Sequence, residues 1–78
     1  MQTIKINIEQ TATGLEFCNG AISVARITEY KNAGQNRFGL CVANKLAGRV
    51  DSLAMAVEVV SDKLEALFGS LGLNIEFN

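Results

Sequence analysis

Two cysteines, Cys18 and Cys41, are the only strong nucleophile candidates in this 78-residue chain, which contains no histidine to activate them. A thiol becomes reactive when a base takes its proton or a neighbouring cation lowers its pKa. Here the only available cations are Lys and Arg, and they make a weak signal. Cys41 lies inside the apolar run FGLCVA, where a free cysteine packs as a small hydrophobe. The expectation is therefore two unbridged thiols buried for packing, without the disulfide framework of small secreted domains.

Carboxylate pairs come next, because two acids in different environments can share acid and base work. Glu58, Asp62 and Glu65 are spaced by four and three residues, which places them on one face of a helix. That face lies opposite the stripe Leu53, Val57, Val60, Leu64 and carries Lys63 beside it, the pattern of a solvated helix surface. No histidine or metal-ligand spacing joins them, so no metal site is expected. The glycines match neither GxGxxG nor GxxxxGK[ST], so no phosphate cradle or nucleotide cofactor is expected either.

Two binding signals remain. The first is basic: Arg26, Tyr30, Lys31, Arg37 and Lys45, with Arg49 and Phe38 nearby, combine cations and rings as a phosphate backbone with stacked bases would require. Against it, seven basic and eight acidic residues give a net charge of −1, unlike a domain built mainly to hold nucleic acid. Residues 1–49 hold six basic and three acidic side chains, residues 50–78 one and five. The two parts are expected to neutralise one another within the fold.

The second signal is apolar excess. In VDSLAMAVEVV the apolar residues occupy more than one helical stripe, so a single sheet face cannot cover them all. Large contiguous apolar patches on monomers usually mark an interface, and a two-fold homodimer is the commonest arrangement.

The elements that must position these residues can be traced from the pattern. Thr3 to Glu9 alternates, with Ile4, Ile6 and Ile8 on one face of a strand. Asn19-Gly20 suits a two-residue hairpin turn. That register would set Cys18 opposite Ala21, Phe17 opposite Ile22 and Leu15 opposite Val24, giving strands near 14–18 and 21–31. A five-residue loop at 32–36 would return the chain as Arg37 to Asn44, pairing Tyr30 with Phe38, Thr28 with Leu40 and Arg26 with Val42. Ala25, Ile27, Cys41 and Ala43 would then form the outer face. Arg26 on the core side is awkward, and either a bulge near Ala25 or a loop one residue shorter would relieve it. From Val50 to Leu71 the spacing becomes helical, with Gly69 and Gly72 near the end. Asn74 to Asn78 alternates again as a short closing strand.

The expected architecture is one domain, residues 1–78, of α+β class: a mainly antiparallel meander of three to five strands, packed on one face by a single long C-terminal helix, with a short final strand. The N-terminus lacks the basic start and apolar core of a signal peptide, and no run is long enough for a membrane span, so a cytoplasmic protein is expected. In function the profile suggests a small non-enzymatic protein-binding domain, a homodimer or small oligomer, acting as a regulator or inhibitor in the manner of compact phage and mobile-element accessory proteins. The contact residues would be Ala25 and Ile27 on the sheet, or Met55, Glu58 and Val59 on the helix. The alternative is nucleic-acid binding by Arg26, Tyr30, Lys31, Arg37 and Lys45.

Overall fold

The computed structural model describes residues 2–78. The isoleucine alternation forms β1 (Gln2–Thr11), and β2 (Gly14–Asn19), β3 (Ile22–Asn32), β4 (Gln35–Val42) and β5 (Lys45–Val50) follow as a meander of antiparallel neighbours. The chain then enters α1 (Leu53–Gly69) and returns as β6 (Leu73–Phe77), which pairs parallel with β1. The sheet order is β5-β4-β3-β2-β1-β6, curled around a single helix that packs against β3, β4, β5 and β6. The class is the expected α+β with one C-terminal helix. The meander reaches five strands before the closing strand, because Lys45 to Val50 forms an edge strand.

The turns fix the register, and here the structure departs from the pattern-based expectation. The β2–β3 loop is Gly20-Ala21, with Asn19 opposite Ile22 and positive φ at Gly20. Two residues into β3, Val24 is bulged out between Ser23, opposite Cys18, and Ala25, opposite Phe17. The β3–β4 loop is the two residues Ala33-Gly34, at φ 56 and 80, the double positive φ of a type I′ turn. The shorter loop pairs Ile27 with Leu40 and Arg26 with Cys41, and the bulge sets Ala25 opposite Phe17 and Ile27 opposite Leu15. A shift of one position turns every side chain to the other face. Arg26 therefore points away from the core, and Ala25 and Ile27 point into it.

The core lies between the curled sheet and α1. Ile6, Phe17, Ala25, Ile27, Phe38 and Leu40 from the sheet meet Ala56, Val60 and Leu64 from the helix. Phe17 and Phe77 add an edge-to-face pair, ring centroids 6.3 Å apart at 88°, joining β2 to β6 across β1. Gly14 is required by close approach: at φ +155 a Cβ there would stand 2.0 Å from the carbonyl oxygen of Ile27.

The helix is shorter than its apolar pattern. Val50 pairs with Phe38 as the last residue of β5, and Ser52, extended at φ −134, caps the helix by accepting a hydrogen bond from the Met55 amide at 3.1 Å. At the other end Ser70 Oγ donates to the Leu67 carbonyl at 2.6 Å. The seventeen residues span roughly 25 Å. Along the stripe that faces the sheet, Val60 and Leu64 are wholly buried, but Leu67 is 40% and Leu71 67% exposed.

That loss of cover follows from the stagger of the strands. The pairing of β1 with β2 spans Asn7 to Thr11, whereas its pairing with β6 spans Gln2 to Ile6. The helix runs antiparallel to β1: Leu53 lines a groove with Gln10 and Thr11, while the chain beyond Gly69 enters β6 opposite Gln2. The last helical turns thus lie toward β6, at the end of the sheet where β2 no longer pairs with β1.

Candidate functional site

The two thiols occupy different environments. Cys18 is buried on the helix-free side of the sheet, and Cys41, expected on the outer face, is half-buried on that same side, with both unbridged. The Cys18 thiol donates to Glu16 at 3.5 Å, and ligand atoms of Glu9, Glu16 and Cys18 lie within 4.8 Å of one another. These three residues form the group best placed to take a cation among the described residues. Burial, then hydrogen bonding to and repulsion from Glu9 and Glu16, push the thiol up to about 11. At neutral pH it is a protonated donor to a carboxylate, the opposite of an activated nucleophile.

Glu58, Asp62 and Glu65 are exposed on the outer face of α1, as their spacing requires. Glu65 borders a groove of about 340 Å³ with Gly69, Leu73, Asn74 and Ile75, and Glu29 one of about 180 Å³ with Leu15, Phe38 and Leu53. Neither groove brings two carboxylates together. Among the described residues no charged or polar residue is buried, so no acid is held in the apolar setting that general acid catalysis uses.

The basic set is divided by the fold. Arg26, Tyr30 and Arg37 share the helix-free face, and register adds Arg49 beside Gly39. The Tyr30 ring lies over Gly39, its Cε1 3.8 Å from where a Cβ would stand. Lys31 and Lys45 fall on the other parity, near turns at opposite ends of β4. Carboxylates also offset the cations. Arg26 pairs with Glu16 at 3.3 Å, and Arg37 pairs with Asp51 while also reaching Gln35 at 3.1 Å. The Arg37–Asp51 pair joins the basic and acidic parts of the chain, as does Lys5 opposite Glu76 in the β1–β6 register.

Of the contact residues expected for a protein partner, Ala25 (4% exposed) and Ile27 (0%) are in the core, so the sheet half of that surface is occupied by the chain's own helix. Met55 and Glu58 are exposed, and Val59 is half-buried against the core. The apolar groups that do reach solvent are Ile22, Leu46, Leu53, Met55, Leu67 and Leu71. Of these only Met55 belonged to the expected contact surface; Ile22, Leu46, Leu53, Leu67 and Leu71 did not. Leu67 and Leu71 belong to the apolar stripe, and only the strand stagger reveals that the sheet stops short of them.

No family model, curated protein or solved structure matches the chain.

Proposed function

We propose that this chain is a non-enzymatic protein-interaction domain that self-associates and acts as a regulator or inhibitor by presenting a surface to another protein. The observation that supports it is the exposure of six large aliphatic side chains at 40–72% on so small a body. Exposed apolar surface of this kind favours association, because covering it releases roughly 25 cal/mol per Å². Its small size and the surroundings of its thiols and acids suit the compact accessory proteins of phages and mobile elements, a comparison of type only. Light scattering across a concentration series tests it: the mass rises from 8.4 kDa toward twice that value. A constant 8.4 kDa at the highest concentration refutes self-association.

A second reading has one observation in its favour, the Tyr30 ring flanked by Arg26, Arg37 and Arg49 on an open sheet face. Single-stranded nucleic acid binds such platforms by stacking and phosphate contacts. Two of the three arginines are already paired with carboxylates, which places this reading second.

A further inference from the structure

The outer edge of β6 is unpaired. The Ile8 amide donates to the Asn78 carbonyl and the Asn78 amide to the Ile6 carbonyl, at 3.2 and 2.9 Å, so Asn78 directs both backbone groups toward β1. Successive residues of a strand direct theirs to alternate sides. Asn74 and Glu76 therefore face β1 as Asn78 does, while Leu73, Ile75 and Phe77 turn their amides and carbonyls to the side where β6 has no neighbouring strand. Among the described residues no backbone group bonds to them from that side. Natural sheets commonly blunt an outer edge with charge, a bulge or proline. The β5 edge has Lys45, Arg49 and a bulge at Ala47. The β6 edge is short but regular in register, and its three outward residues are apolar.

Two of those three residues also line a groove. Ile75 stands opposite Ile4 and Phe77 opposite the core residue Ile6, so the apolar face of β6 looks toward α1. The groove of about 340 Å³ lies along the open edge, with Leu73, Asn74 and Ile75 on one side and Glu65 and Gly69 of the helix on the other. Asp62 and Glu58, three and seven residues before Glu65, continue an acidic ridge on the same exposed face. Lys63, the one cation of residues 50–78, is turned about 160° from Glu65 around the helix. On the other face of β6, Glu76 is exposed.

We propose, resting on the protein-interaction reading above, that this edge receives an extended, basic segment of another protein as an added antiparallel strand. Its backbone satisfies Leu73, Ile75 and Phe77. Apolar side chains opposite Phe77 and Ile75 extend the apolar face of the sheet. A Lys or Arg opposite Leu73 lays its stem in the groove and brings its charge to Glu65, and another opposite Glu76 completes a cross-strand ion pair on the outer face. Charge argues against a second copy here. Two β6 edges set together would bring Glu76 and both acidic ridges toward their own counterparts, and the β5 edge of another copy has its alternation broken at Ala47.

The probe is the synthetic peptide Thr-Val-Lys-Val-Thr-Lys-Thr, blocked at both ends, with a control peptide in which glutamate replaces both lysines. Each is titrated into the full chain and followed by residue-resolved amide exchange. The lysine peptide is expected to slow the amides of Leu73, Ile75 and Phe77 about tenfold or more, while Asn74 and Glu76, already bonded to β1, change little. The glutamate peptide and the Glu65→Lys variant should each weaken binding about tenfold or more. Methylating the peptide nitrogens that face β6 should abolish it at unchanged charge. Equal binding of the two peptides, binding that leaves the β6 amides unaltered, or no binding at millimolar peptide overturns the site. So does protection of Leu73, Ile75 and Phe77 that rises with protein concentration alone, which would assign the edge to a second copy. A dimer that ignores the peptide removes this site and leaves self-association standing, whereas a strict monomer that binds it does the reverse.

Discussion

Leu64 and Leu67 are one helical turn apart in the same stripe, yet the fold predicts very different costs for truncating them to alanine. Leu64 is wholly enclosed. Its removal forfeits the transfer energy of three carbons and leaves a cavity, which together cost about 3–4 kcal/mol. Leu67 keeps 40% of its surface in water, so about three-fifths of the transfer term is at stake, no closed cavity forms, and alanine is the better helix former. The expected cost is about 1 kcal/mol. Urea denaturation at low micromolar concentration, followed by circular dichroism, reads both as shifts in midpoint at constant slope. A domain of this size has roughly 4–12 kcal/mol in hand, so Leu64→Ala should leave a visibly weakened but measurable fold. Equal losses for the two variants in the monomer would mean that the sheet does extend beneath Leu67, and the stagger described above would be wrong. At high concentration Leu67→Ala should fall further behind the natural chain, as association draws on that side chain.

Three other outcomes follow from particular contacts. Gly14→Ala should cost about 3 kcal/mol, because its Cβ collides with the Ile27 carbonyl at a positive φ, whereas Gly39→Ala meets Tyr30 at ordinary contact distance and should cost under about 1 kcal/mol in thermal melts. Cys18 should alkylate far more slowly than Cys41 at pH 8 in a mass-resolved labelling series. Its folded pKa of about 11 lies above the ordinary 9.0, so the folded state holds the proton more tightly: the stability this gives is complete below pH 9 and is lost as pH rises toward 11. The high-pH loss should shrink in Cys18→Ala. Finally, the double variant Arg37→Glu, Lys31→Glu should not change retention on a single-stranded oligonucleotide; a salt-steep binding that collapses in the variant would favour the nucleic-acid reading instead.

How much of this was legible in the sequence differs from element to element. The Ile4, Ile6, Ile8 alternation and the Val60, Leu64 stripe are single-element signals, and both fold as their periods require. Lys45 to Val50 has no such signal: KLAGRV places a bulge at Ala47 and a glycine in a six-residue edge strand, so neither period survives. The outer and inner faces of β3 could not be assigned from residue types because one bulged residue, Val24, reverses parity midway. Arg26 held the clue, since a cation on the core side demanded such a reversal. Ala25 and Ile27 were consequently expected on the surface and lie in the core. The exposed stripe end at Leu67 and Leu71 was beyond reach, because it depends on where β2 stops relative to β1, a relation between strands that no local pattern records.

Residue-resolved amide hydrogen exchange along β1 in dilute solution bears most directly on the strand stagger. The amides of Ile6 and Ile8 should be protected through β6, while those of Thr3 and Lys5, which lie before the first β1–β2 pair at Asn7, exchange rapidly. Complete protection of Thr3 and Lys5 would contradict the open step in β1.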